Sequence, residues 1–181
     1  MTTPRQMSAP AGRPANGAGH YLRDLTYGAL DGAITTMAVV AGTAGAHLAP
    51  RVGIILGLAN LLADGLSMGA SNYLGLKSEL EQTGASVAEE TPWRHGLATT
   101  VAFVVVGALP LLGYVLGPRC GVSILSASTA LTALALLGTG AMRGPLMRRP
   151  AWRSAVEMLA VGAAAGLAAY GVGSVASRVL G

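Results

Sequence analysis

Five stretches of this 181-residue chain stay apolar for more than twenty residues at a time, and each is closed off by proline, glycine or charge. They run over about 23–46, 52–76, 96–117, 122–142 and 154–177. A helix rises about 1.5 Å per residue, so each stretch is long enough to cross the roughly 30 Å of a bilayer's hydrocarbon core. Strands are excluded, because period-two alternation is absent and the stretches exceed a barrel strand. Charged residues make up 11% of the chain, against about 25% in a soluble domain, too few to cover a water-facing surface. The chain therefore reads as an all-α membrane protein with five transmembrane helices over residues 21–181. Residues 1–20, rich in Pro, Gly, Ala and Ser, read as a disordered cytoplasmic arm.

Lys and Arg positions set the orientation. With the amino terminus in the cytoplasm, nine of the twelve basic residues fall inside and three, Arg51, Arg119 and Arg178, outside. An odd number of spans then puts the carboxyl terminus outside. The basic residues cluster at the ends of apolar stretches rather than along one stripe, which removes nucleic acid as a partner and leaves membrane lipid. The lone cysteine, Cys120, admits no internal disulfide and no cysteine metal motif. Glycines four apart recur at Gly28/Gly32, Gly53/Gly57, Gly65/Gly69 and Gly162/Gly166, a pattern that lets helix backbones approach closely in lipid. Pro110 should kink the third helix.

Five of the eight acids, Asp24, Glu79, Glu81, Glu89 and Glu90, are expected at the cytoplasmic side, while Asp31, Asp64 and Glu157 fall within spans. An acid near mid-bilayer costs at least about 2.5–3.5 kcal/mol, so these three call for a compensating role. Counting 1.5 Å per residue puts Asp31 and Asp64 at one level, each about 12 Å from the cytoplasmic face, with Glu157 nearer the mouth beside Met68. Asn60, Asp64 and Met68 are spaced four apart and share a helix face, flanked by Ser67 and Ser71. Two carboxylates brought together repel unless they share a proton or a cation. Asp31, Asp64, Asn60 and Met68 are thus the expected ligands of a divalent metal, the thioether favouring softer ions such as Fe²⁺ over Mg²⁺ or Ca²⁺. Glu157, Glu79 and Glu81 are candidates for proton coupling or for gathering cations at the cytoplasmic mouth. The three histidines fall at segment ends, so no histidine relay crosses the bilayer.

Several motifs resemble the vacuolar iron transporter family in its compact bacterial form: DGAITTMAVVAGTAGA at 31–46, ANLLADGLSMGASNYLGLKSELE at 59–81, GALPLLGY at 107–114, and a Gly-rich last helix ending in AAYGVG. The likeness covers nearly everything from Tyr21 onward. It implies a five-helix homodimer that moves Fe²⁺ or Mn²⁺ out of the cytoplasm in exchange for protons, with the pathway at or beside the dimer interface. The metal is then a transported substrate, no cofactor is permanently bound, and the setting is a bacterial inner membrane. The family's pathway aspartate falls on Asp31 and its methionine on Met68. Where many eukaryotic members carry a glutamate eight residues before that methionine, this chain has Asn60, with Asp64 one turn later to take over the charge. The short connection between Lys77 and His95 leaves no room for the metal-collecting domain those members insert. Two rival readings are an intramembrane aspartyl hydrolase using Asp31 and Asp64 as a dyad, and a non-transporting membrane scaffold.

Overall fold

A computed structural model describes residues 21–84, 90–146 and 148–180. Among them there is no strand. The helices are α1 (Leu22–Gly45), α2 (Pro50–Thr83), α3 (Pro92–Leu111), α4 (Gly113–Arg119), α5 (Ile124–Leu146) and α6 (Ala151–Leu180). The arm expected over residues 1–20, and Glu89, lie outside the described residues.

Local chemistry explains the ends. Pro50 and Pro92 open α2 and α3, where a missing N–H costs nothing and the ring presets the helical φ. Gly84 closes α2 at φ 69°, its N–H donating to the Leu80 carbonyl, a left-handed cap that glycine adopts without strain. The second helix continues past residue 76, its expected end, to Thr83. Lys77 and Glu81 support that extension as an i, i+4 pair at 3.8 Å. At 34 residues, α2 is about 51 Å long and exceeds the hydrocarbon thickness. Two residues past Pro110, where a kink was expected, Leu112 separates α3 from α4 while keeping helical dihedrals: its N–H donates to the Ala108 carbonyl at 3.3 Å and its carbonyl accepts from the Leu116 N–H at 2.8 Å. The Ser128 hydroxyl on α5 donates to the Pro110 carbonyl at 2.7 Å, satisfying an acceptor at the break.

α1 is the hub. It packs against α2, α3, α5 and α6, and 12 of its 24 residues are buried. On α6 only Ser154, Ala155, Met158, Gly162 and Gly173 are buried. Among the described residues four stretches are long and apolar enough to cross a membrane: α2, the α3–α4 rod Pro92–Arg119, α5 and α6. α1 falls outside that set, although a fifth span is expected there. The reason is composition: Arg23, Asp24, Asp31 and threonines 26, 35, 36 and 43 dilute it. A helix wrapped by others meets protein rather than lipid, so its apolarity is not under the same demand. The outer helices carry the lipid-facing character, with Leu134, Leu167, Val172 and Val179 all exposed.

Close packing of α1 on α3 depends on two glycines. A Cβ at Gly28 would stand 2.3 Å from the Thr99 carbonyl oxygen, and one at Gly32 2.3 Å from that of Phe103. Those obstacles are backbone, so α3 itself would have to retreat. We therefore expect Gly32→Ala to lower detergent-solubilised stability by roughly 1–3 kcal/mol, the usual range for overpacking. Gly75, in the last third of α2, has nothing within 4 Å of the place a methyl group would occupy. Gly75→Ala should raise stability by about 0.5–1 kcal/mol through helix propensity. Thermal unfolding followed by tryptophan fluorescence checks both signs.

Candidate metal site

The inward line of α2 repeats every fourth residue, with Gly53, Gly57, Leu61, Gly65 and Gly69 buried. Asn60, Asp64 and Met68 each precede a member of that line by one residue, which turns them about 100° away from it. They are half-buried for that reason, and Ser67 and Ser71 are exposed. Asp31 on α1 is also half-buried, partly stripped of water and close enough to Asp64 for the two carboxylates to repel. Like charges in a partly desolvated setting repel more strongly than they would in water. Some positive charge or a proton must answer that repulsion.

The Asn60 amide nitrogen is buried with no hydrogen-bond partner among the described residues. An amide can be turned end for end within the same shape, so the buried atom can be its nitrogen or its oxygen. Among the described residues no three His, Cys, Asp or Glu side chains gather tightly enough to cage a metal. A cation here would rely on two carboxylates, with amide oxygen and thioether sulfur as weaker donors and water for the rest, an arrangement suited to an ion that binds and leaves.

Of the three acids expected to converge, Asp31 and Asp64 are brought together. Glu157 lies exposed on α6 with its carboxylate 4.0 Å from Arg149. Glu79 and Glu81 are exposed near the end of α2, Glu81 beside Lys77.

Sequence reasoning missed a second polar cluster. Asp24, expected among the cytoplasmic-side acids, is 2% exposed, and His95, expected at a segment end, lies inside α3 and is 5% exposed. The His95 Nδ1 and Asp24 Oδ2 atoms are 2.5 Å apart. Asn72 on α2 donates from Nδ2 to Asp24 Oδ1 and to Thr99 Oγ1, both at 2.8 Å, with the His95 carbonyl at 3.3 Å. An amide has two hydrogens, so the two short bonds are the principal ones. Thr99 in turn donates to the His95 carbonyl at 3.0 Å. Two spacings pointed toward this cluster: Asn72 continues the four-residue step of Asn60, Asp64 and Met68, and Asp24 precedes Asp31 by seven residues, two turns along the same face.

Comparison with known proteins bears on this geometry. The model of the VIT family matches residues 22–91 and 83–174. A protein of Toxoplasma gondii named vacuolar iron transporter is 27% identical, the alignment taking in 92% of this chain and 78% of the relative. The vacuolar iron transporter 1 of Eucalyptus grandis is 24% identical over 86% of each chain. That of Arabidopsis thaliana is 25% identical over 84% of this chain and 85% of its own.

Proposed function

We propose, starting from the fact that this chain belongs to the VIT family, that it exports Fe²⁺ or Mn²⁺ from the cytoplasm in exchange for protons. Members of that family are membrane transporters of metal and not enzymes, which sets the hydrolase and scaffold readings aside. The observation that carries the proposal is the proximity of Asp31 and Asp64 on neighbouring helices. An ion between them neutralises both carboxylates; on its departure, protons restore the balance. Asn60 and Met68 complete the set from the same face of α2.

Two features support a homodimer with α1 as a fifth span. Asp64 and Met68 are only half covered within one chain, and Ser67 and Ser71, which flank them on α2, are exposed. A carboxylate left against lipid would cost at least about 2.5–3.5 kcal/mol, and a second copy laid along α2 would shelter it. The starts of α3 and α6 share one side of the membrane because the α3–α4 rod and α5 cross between them, and a fifth span by α1 would put the amino terminus on that same side. There Trp93 and Trp152 are exposed, with Arg94 and Arg153 over their rings at 5.4 and 5.3 Å. Such pairs suit the headgroup layer, and their arginines belong to the basic excess that favours a cytoplasmic amino terminus. The short α2–α3 connection fits the compact bacterial form, and with it a bacterial cytoplasmic membrane.

Purified protein in liposomes tests this directly. Fe²⁺ and Mn²⁺ uptake should exceed that of empty vesicles and accelerate when a pH gradient runs against the metal. Folded protein that moves neither ion under either condition would end the proposal. Uptake indifferent to the gradient would retain transport and remove the exchange.

A further inference from the structure

The transport reading leaves the buried cluster around His95 unused. It joins the same three helices that carry or back Asp31 and Asp64: Asp24 on α1, Asn72 on α2, and His95 with Thr99 on α3. It lies about 10 Å along α1 from Asp31 and about 12 Å along α2 from Asp64, counted from the rise per residue. The two clusters thus lie at successive levels along α1 and α2.

A bare structural clamp would be well served by neutral groups. Here an acid and an imidazole are placed in contact while almost wholly buried, where an uncompensated charge is costly. Imidazole is also the side chain that ordinarily gains and loses a proton near neutral pH. Asp24 meets the ring through Oδ2 while Asn72 occupies Oδ1, so the carboxylate can hold a proton-bearing ring and keep its amide partner.

We propose that the Asp24–His95 pair takes up and releases a proton in exchange for the metal held at Asp31 and Asp64. The coupling is electrostatic. One added charge about 10 Å from a divalent ion, through protein of effective dielectric constant near 20, weakens the ion's binding by roughly ten- to a few hundredfold. A proton at the pair thus expels the ion, and an arriving ion expels the proton.

Other charged and titratable groups adjoin the pair. From α1, the Arg23 Nε lies 3.8 Å from Asp24 Oδ1 with its side chain 63% exposed. The Tyr21 ring, just before α1, stacks 4.7 Å from His95 between centroids. α2 contributes the neutral Asn72 amide; farther along, Lys77 pairs with Glu81. On α3, Thr99 adds a hydroxyl, Arg94 stacks on Trp93, and half-buried Glu90 precedes the helix.

This inference rests on the transport reading, and the experiment separates the two. Mn²⁺ is added to the full-length protein in weakly buffered detergent solution, and released protons are counted with a pH dye. Mn²⁺ uptake by liposomes is followed in parallel between about pH 5.5 and 8, the range over which histidine titrates. The wild type should release protons on binding Mn²⁺ and show uptake that changes about tenfold or more with pH. His95→Gln should release about one proton fewer and give a nearly flat profile, while still binding Mn²⁺. Asp24→Asn should behave like His95→Gln. A His95→Gln protein that binds Mn²⁺ with unchanged proton release and an unchanged pH profile overturns this inference alone. A wild type that binds and moves no Mn²⁺ removes the transport reading and the inference with it. Should both variants fail to fold, nitrogen NMR of the wild-type imidazoles decides: His95 must change protonation within that pH range, and a ring that keeps one state throughout overturns the proposal.

Discussion

Asp31→Asn should carry Fe²⁺ at no more than about one hundredth of the wild-type rate, a loss equivalent to roughly 2.7 kcal/mol. The substitution keeps the shape and an oxygen donor but removes one of two charges that an ion would neutralise. Asp64→Asn should do the same, and the double variant should be little worse than either, because one remaining carboxylate already fails to compensate a divalent ion. The same changes should leave melting temperature unchanged or raise it. Each relieves the repulsion between Asp31 and Asp64 and spares a partly desolvated charge, the pattern of a functional site that works against stability. Asp24→Asn should shift melting temperature the other way, because it breaks contacts to His95 and Asn72 inside the bundle. Liposome uptake and thermal unfolding, measured on one set of variants, check both halves. Asp31→Asn protein that retains full uptake would remove Asp31 from the site.

Met68→Leu should act on selectivity. Leucine fills nearly the same volume, so stability should change by less than about 1.5 kcal/mol. What is lost is sulfur, a donor that favours softer ions. The ratio of Fe²⁺ to Mn²⁺ uptake should therefore fall by about five- to tenfold, equivalent to roughly 1–1.4 kcal/mol. Competition between the two ions in one liposome preparation measures the ratio without depending on how much protein inserts. An equal loss for both metals would mean that Met68 shapes the cavity without binding the ion.

Much of the architecture was legible because it follows from short-range rules. Prolines 50 and 92 and Gly84 mark helix ends through their own backbone chemistry. The step of four that aligns Asn60, Asp64 and Met68 is a property of any α-helix. Gly28 and Gly32 announced a close approach, though not that α3 would be the helix approached. Other features were not legible. α1 reads as one more span, but only its burial among four neighbours explains why it tolerates so many polar residues. Asp24, next to Arg23 at the start of a helix, read as a solvated acid. Only the approach of α2 and α3 reveals that Asn72, His95 and Thr99 enclose it.

The chain alone determined its solvent, its helical class and which side chains share a face, since those depend on apolarity, run length and the 3.6-residue turn. Which faces meet was decided by tertiary structure. It brought Asp31 near enough to Asp64 to repel it and buried Asp24 with His95, because such approaches depend on backbones many residues apart being brought together, and no local periodicity encodes that.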